Sequence, residues 1–140
     1  MGIWQALADG GQASGYVRIP YYTTGWINTA DWTNQHLGTT AGADVTHNLN
    51  TPLSRLFIKL LINATATEIG AVEILPNMVS PAIAGAAVYG CTIYGVSNNA
   101  FTIQTGVDGI CIPHTDGTSV IIDTENWNYN VYVYGWPTNI

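Results

Sequence analysis

The stretch NYNVYVYGW, residues 128–136, predicts the last strand of a β-sheet. Side chains of a strand alternate between its two faces, so one face carries Tyr129, Val131 and Val133, which suit an ordinary apolar core. The opposite face holds amides and aromatic rings and no charge: Asn128, Asn130, Tyr132, Tyr134 and Trp136. A strand with a second aromatic face raises the question of what covers that face.

The composition indicates one domain with very little charge on its surface. The chain has 140 residues, of which 47% are hydrophobic, and this suits a single domain with its own core. Charged residues make up 9% of the chain, against roughly 25% in an average soluble domain. Such a chain either buries surface against copies of itself or a partner, or has a neutral surface of Thr, Asn, Gly and Tyr, as in many extracellular and virion β-proteins.

The charge balance argues against nucleic acid and membranes as partners. The net charge is -6, and the cations are Arg18, Arg55 and Lys59. Phosphate binding needs clustered cations, so neither nucleic acid nor an anionic membrane surface is expected to bind. The apolar runs are too short or too interrupted to span a bilayer. The start of the chain lacks the basic and apolar pattern of a signal peptide, so we expect assembly in a cytoplasm.

From Tyr16 onward, the sequence predicts short strands separated by turns. The turn signals include Asn98-Asn99, Asp108-Gly109 and Asp116-Gly117. Strands are predicted over residues 16–23, 25–28, 44–47, 55–62, 67–75, 86–96, 100–105, 110–112, 119–123 and 128–136, with a loop over 77–85. The pattern predicts an all-β fold: an antiparallel β-sandwich or barrel-like domain over residues 16–140.

Two segments carry more specific expectations. In the strand over 55–62, the side chains of even number (Leu56, Ile58, Leu60 and Ile62) are predicted to face the core, and those of odd number to be half exposed. Residues 1–15 are rich in Gly and Ala and are predicted to form an N-terminal arm or linker. Its Trp4 is expected to dock on a neighbouring subunit.

The sequence offers no constellation for catalysis, so the chain is not expected to be an enzyme, and no cofactor or metal is expected. Cys111-x-x-His114 is the one pair with metal-like spacing, and it lacks a second pair. Glu68 and Glu73 have opposite strand parity, which argues against a facing acid pair. Cys91 and Cys111 are predicted to be buried free thiols, with a disulfide as the alternative.

The aromatic residues allow three interpretations, which the sequence leaves open. The first is a subunit interface, because interfaces favour Tyr and Trp and disfavour charge; its candidate residues are Trp4, Tyr132, Tyr134 and Trp136. The second is a surface that stacks sugar rings beside Asn and Asp side chains, with the candidates Trp26, Trp32, Trp127 and Tyr134. The third is an ordinary core.

Residues 24–62, TGWINTADWTNQHLGTTAGADVTHNLNTPLSRLFIKLLI, resemble domains of tailed-bacteriophage structural proteins. The shared features are a Gly-Trp start, an Asp-Trp-Thr-Asn-x-His-Leu-Gly segment, a Val-x-His-Asn-Leu turn and a following apolar strand. Many of these domains also end in an alternating aromatic strand. Within the turn, we expect the strand to end at His47, Asn48 to take a turn conformation and Leu49 to pack back as a plug.

This resemblance implies a β-rich homotrimer on the virion surface. Its partners would be copies of itself, other capsid or tail proteins and, at the host surface, a glycan. The absence of a long fibre shaft and the start at Met1 favour a small accessory protein anchored by its N-terminal arm. The expected function is therefore a head decoration or fibre, or a tail-fibre component, and the alternative is a carbohydrate-binding module or lectin.

Overall fold

The computed structural model describes residues 4–9, 12–29, 36–37, 45–75, 89–106, 108–113, 115–122 and 127–136. These residues are mostly in β-strands, and one short 3₁₀ helix lies at Leu53–Arg55. The strands are β1 (Trp4–Asp9), β2 (Gln12–Arg18), β3 (Tyr21–Thr23), β4 (Ile27–Asn28), β5 (His36–Leu37), β6 (Val45–Thr46), β7 (Leu56–Asn63), β8 (Val72–Ile74), β9 (Cys91–Ser97), β10 (Ala100–Thr105), β11 (Ile110–Pro113), β12 (Ser119–Ile122) and β13 (Asn128–Gly135). The described part thus confirms an all-β fold.

The largest sheet, here called the β13 sheet, is antiparallel and has β13 at its centre. Its order is β3-β13-β7-β8, and β4 also pairs with β13 beside β3. β13 and β7 pair along their whole length, from Asn128 opposite Asn63 to Gly135 opposite Leu56. This register sets β13 and β7 side by side for about 25 Å, at 3.4 Å per residue.

A second antiparallel sheet is built around β10. On one side β10 pairs with β9 through the Asn98-Asn99 turn, as the sequence predicts, and on the other side it pairs with β5 and β6. Two antiparallel ribbons complete the described part: β1 with β2, and β11 with β12. None of the described sheets closes on itself.

One buried cluster draws its side chains from both sheets and from the β11–β12 ribbon. From the β13 sheet come Leu60, Ile62, Ile74, Tyr129, Val131 and Val133; from the β10 sheet Val45, Cys91, Phe101 and Ile103; and from the ribbon Ile110, Ile112 and Ile122. The predicted alternation in β7 is confirmed, because Leu60 and Ile62 are fully buried whereas Phe57 is 63% exposed. The inward face of β13 is confirmed as well, since Val131 and Val133 are fully buried.

The structure corrects the predicted strand over residues 67–75. Only Val72–Ile74 forms a strand, and residues 64–70 form turns and bends that we call the turn segment. Two backbone positions explain the difference, because Ala66 has a φ of 54° and Gly70 a φ of 82°. Positive φ angles are incompatible with a continuous strand.

At the N-terminus, the predicted arm contains regular structure. β1 and the first residues of β2 lie within residues 1–15, and the two strands form an antiparallel hairpin. The predicted loop over 77–85 lies outside the described residues.

Cys91 and Cys111 are both free thiols; Cys91 is buried and Cys111 is partly buried. No helix among the described residues has the length and apolar character needed to cross a bilayer.

Candidate functional site: an aromatic sheet face

The second face of β13 belongs to a surface that runs across three strands of the β13 sheet. Tyr134 lies between Tyr21 of β3 and Phe57 of β7, and Tyr132 lies between Thr23 and Lys59. Because paired residues point to the same side of a sheet, these side chains share the face opposite the core. We call this surface the outer face.

Four aromatic rings form a continuous cluster on the outer face. The ring centroids of Tyr21 and Tyr134 are 5.1 Å apart, those of Tyr21 and Tyr132 are 6.4 Å apart, and those of Phe57 and Tyr134 are 6.3 Å apart. Tilted pairs at such distances stabilise each other by about 0.5–1.5 kcal/mol beyond the area they bury. These contacts favour this arrangement of the rings before any partner binds.

One end of the outer face contains an apolar cleft of about 230 Å³, which we call the Trp136 cleft. Its walls are Ile19, Phe57, Tyr134, Gly135 and Trp136. Phe57 is 63% exposed and Trp136 is 57% exposed, so two large rings meet solvent here. The backbone N–H groups of Gly135 and Trp136 already donate to the carbonyls of Pro20 (2.9 Å) and Arg55 (2.8 Å), so the cleft is almost purely apolar.

A second cleft, of about 270 Å³, adjoins the first across Phe57 and Trp136. The residues that line it besides these two are Ser54, Arg55 and Leu56. Arg55 is one of three cations in the chain, so this cleft adds positive charge at the border of the apolar one.

The middle of the outer face is polar. The Tyr132 hydroxyl donates to Glu68 of the turn segment and accepts from the Asn130 amide at 3.0 Å. Thr23 in turn donates to the Asn130 side-chain oxygen at 2.7 Å. The bond to Glu68, together with burial, raises the pKa of Tyr132 to about 12. Lys59 and Glu73 form an ion pair at 3.6 Å with both side chains substantially exposed, and such pairs contribute little stability.

A buried side chain, that of Asn63, holds the turn segment against the end of the sheet where β7 ends and β13 begins. Asn63 is 8% exposed, and its amide nitrogen donates to the carbonyls of Thr67 at 2.7 Å and Ile69 at 3.0 Å. Its side-chain oxygen accepts from the Thr65 N–H at 3.3 Å. With the Glu68 bond, these contacts fix the segment, and at its tip Ile69 is 92% exposed.

The predicted turn at residues 47–49 has a structural role in the described fold. Asn48 has a φ of 56°, and Leu49 packs against the buried cluster. His47 is buried, its Nδ1 accepts the Leu49 N–H at 3.1 Å, and its ring lies 5.8 Å from that of Phe101. Its Nε2 is buried without a hydrogen-bond partner among the described residues. Burial lowers the pKa of His47 below 6.5.

The structure brings three of the four predicted interface residues together. Tyr132, Tyr134 and Trp136 all lie along the outer face or at its end. Trp4 begins β1, and its side chain lies outside the described part of the chain. Phe57 is not among the predicted interface residues, although its strand parity identifies it as an exposed aromatic residue.

The three predicted sugar-stacking residues that the structure describes do not form one platform. Trp127 packs against the buried cluster, whereas Tyr134 lies on the opposite face of β13. Trp26 precedes Ile27, which pairs with Tyr129, so it lies about 15 Å along the strand from Tyr134 at 3.4 Å per residue. Trp32 lies outside the described residues.

The described residues contain no group of three His, Cys, Asp or Glu side chains close enough to hold a metal ion; His114 of the Cys111-x-x-His114 pair lies outside them. No protein-family model matches the chain, and comparisons with curated proteins and with solved structures found no match. The outer face is therefore the candidate functional site.

Proposed function

We propose that this chain is a structural protein that assembles with copies of itself through the outer face. The observation that carries the proposal is the Trp136 cleft, where Phe57 and Trp136 are more than half exposed beside an apolar depression. Burial of apolar surface contributes about 25 cal/mol per Å², and exposed apolar patches on soluble proteins mark interaction sites. A second copy that covers these rings would bury their apolar surface, and the free energy gained would stabilise the assembly.

The low charge of the chain supports the same proposal. Aromatic side chains are enriched and charged side chains depleted at the centre of protein interfaces. The apolar end of the outer face fits this description, with Tyr21, Phe57, Tyr134 and Trp136. Its polar neighbours Lys59 and Glu73 are exposed and suit the rim of an interface.

The finer architecture belongs to this proposal. We propose that the β13 and β10 sheets form the two layers of a β-sandwich around the shared buried cluster. Three copies would assemble into a homotrimer, with residues 1–15 as an arm that reaches a neighbouring subunit or an anchoring protein. The trimer follows from the resemblance of residues 24–62 to tailed-bacteriophage structural domains.

The same resemblance supplies the biological setting. We propose a virion surface protein, either a head decoration or fibre or a tail-fibre component, assembled in the host cytoplasm and attached to capsid or tail proteins. In this setting the chain acts by assembly rather than catalysis. Contact with the host surface would be a second role of the assembled particle.

A carbohydrate-binding module is the alternative, and one observation favours it. In the middle of the outer face, Tyr21 and Tyr132 lie beside the exposed polar groups of Lys59, Glu68 and Glu73, which is a combination that sugar sites use. The alternative loses support at the Trp136 cleft, because sugars need hydrogen-bond partners as well as rings, and at Trp127, which packs against the core.

Substitutions on the outer face separate the two functions. Tyr134→Ala and Trp136→Ala should lower the mass of the assembled protein in light scattering, with Tyr94→Ala as the control because Tyr94 is 57% exposed on β9 of the other sheet. Unchanged mass with loss of binding on a glycan array would favour the carbohydrate module. Unchanged mass and unchanged glycan binding would contradict both functions.

A further inference from the structure

Ile69 is the most exposed large apolar side chain of the described residues, at 92%. It lies at the tip of the turn segment, directly after Glu68. A single exposed aliphatic residue is common on protein surfaces. Ile69 differs from such residues because hydrogen bonds from two sides hold its segment in place.

The turn segment is fixed from two sides. Asn63, itself buried, donates to the Ile69 carbonyl at 3.0 Å and to the Thr67 carbonyl at 2.7 Å. On the other side Tyr132 donates to Glu68. A tip that is already ordered loses little conformational entropy on binding, and this raises the affinity that one side chain can supply.

The Trp136 cleft is a suitable site for such a side chain. Its volume is about 230 Å³, and an apolar cavity of about 150 Å³ is enough to hold a benzene ring. Its lining is apolar, and the nearby backbone N–H groups of Gly135 and Trp136 are already bonded within the chain. The occupant that this lining favours is therefore an aliphatic or aromatic side chain rather than a polar ligand.

Ile69 does not fill the cleft of its own chain, because its side chain is 92% exposed. Its carbonyl is tied to Asn63, at one end of β7, whereas Phe57 of the cleft lies near the other end. Asn63 and Phe57 are six positions apart along β7, or about 20 Å at 3.4 Å per residue. Within one chain the tip and the cleft therefore stay apart, whereas a second copy can bring a tip and a cleft together.

We infer that Ile69 of one copy inserts into the Trp136 cleft of the next copy, in a head-to-tail contact. This inference rests on the proposed self-assembly and specifies its contact. Each copy then offers one tip and one cleft, at opposite ends of the β13 sheet. A head-to-tail contact closes into a ring when the rotation between copies permits it and otherwise grows into a filament, so a closed trimer is compatible with it.

The charges next to the two elements are complementary. Glu68 is adjacent to Ile69 in the sequence, and the cleft that adjoins the Trp136 cleft is lined by Arg55. Insertion of Ile69 would bring the Glu68 carboxylate, which Tyr132 of its own copy holds by a hydrogen bond, toward the positively charged side of the next copy's cleft, where Arg55 lies. In a chain with three cations, this placement gives the contact a direction, because complementary charges across an interface select partner and orientation.

The test uses one variant that lacks the tip and one that lacks the cleft. Ile69→Asp removes the apolar tip, and Trp136→Asp places a carboxylate in the cleft wall; both positions are exposed enough for the fold to tolerate the change. Ile121→Asp is the matched control, because Ile121 is a 46% exposed isoleucine on β12. The masses of all four proteins are measured by light scattering across a dilution series, and circular dichroism checks their fold.

We expect each of the two variants alone to be a monomer of 15.0 kDa and an equimolar mixture of them to form a heterodimer, since one intact tip then meets one intact cleft. Ile121→Asp should keep the wild-type mass, and the milder Ile69→Ala should raise the dissociation constant at least tenfold.

Two results would overturn the inference and leave self-assembly standing: Ile69→Asp with the wild-type mass while Trp136→Asp dissociates, or two monomeric variants that stay monomeric when mixed. Wild-type protein that is monomeric at every concentration would overturn both the inference and the proposed function.

Discussion

The Tyr132 hydroxyl of β13 donates a hydrogen bond to the carboxylate of Glu68, 64 residues earlier in the chain. This bond joins the centre of the outer face to the turn segment that follows β7. It couples the aromatic surface to the segment that carries Ile69, so a substitution of Tyr132 should affect the structure of both. The bond also has a pH dependence that can be measured.

The first prediction concerns stability in alkaline solution. The Glu68 bond raises the pKa of Tyr132 from its ordinary 10.0 to about 12. Because the folded pKa lies above the unfolded one, the stability that this bond supplies is fully present below pH 10 and is lost as the pH rises through 12. Tyr132→Phe should lower the free energy of unfolding by about 1 kcal/mol at pH 8, and the difference from wild type should be much smaller at pH 12.

Urea denaturation at several pH values between 8 and 12 measures this difference. Tyr94→Phe is the control, since Tyr94 is exposed on the other sheet. If Tyr132→Phe and wild type differ by the same amount at pH 8 and pH 12, the Glu68 bond does not stabilise the fold in this way.

The second prediction concerns Asn63. Asn63→Ala leaves the Thr67 and Ile69 carbonyls without their shared donor, and we expect a loss of about 2 kcal/mol in the free energy of unfolding. Asn128→Ala is the matched control, because its amide also donates to the turn segment, at the Ala64 carbonyl (3.1 Å), but through a hydrogen bond that is exposed to solvent. A loss below about 1 kcal/mol is expected there. Equal losses in the two variants would show that burial of Asn63 adds nothing.

The third prediction concerns His47 in mildly acidic solution. Burial lowers the pKa of His47 below 6.5, so between the two pKa values the unfolded chain binds more protons than the folded one. The stability is therefore present above pH 6.5 and is lost as the pH falls through the folded pKa. His47→Phe keeps a ring beside Phe101, loses the acceptor for the Leu49 N–H at a cost of about 1 kcal/mol, and should flatten the stability profile between pH 7 and pH 5. An NMR titration that places the pKa of His47 at or above 6.5 would contradict the prediction.

The fourth prediction compares two neighbouring leucines of β7. Leu60 is fully buried, and Leu61, on the opposite side of the strand, is partly exposed. Leu60→Ala should lower the free energy of unfolding by about 2–5 kcal/mol, and Leu61→Ala by clearly less when measured on the dissociated protein. Similar losses at both positions would contradict the prediction, because they would mean that both faces of β7 are buried to a similar extent.

The strands that cross the buried cluster were predictable from alternation. Leu56 to Ile62 and Tyr129 to Val133 place apolar residues at every second position, and a strand with one buried face fixes which side they take. The Asn98-Asn99 turn was predictable for the same local reason, because its amide residues tolerate turn geometry. These features depend on neighbours in the sequence.

The features that the sequence did not predict depend on distant residues or on unusual backbone angles. Thr65, Thr67 and Ile69 have strand propensity, but the Asn63 side chain forms hydrogen bonds with their backbone groups. Ala66 has a positive φ, which an alanine in the sequence does not predict. The position of Phe57 beside Tyr134 is set by the register between β7 and β13. Register between strands far apart in sequence is a tertiary property, so the Trp136 cleft could not be assembled from the sequence.

The most direct test of self-assembly is the solution mass of the wild-type protein, measured by light scattering across a dilution series from high micromolar to nanomolar concentration. If the outer face drives self-assembly, the protein is a defined oligomer, with a mass near three times 15.0 kDa for the proposed trimer, and dissociates only on strong dilution. A mass of 15.0 kDa at every concentration would contradict it and would leave the outer face facing water or a ligand.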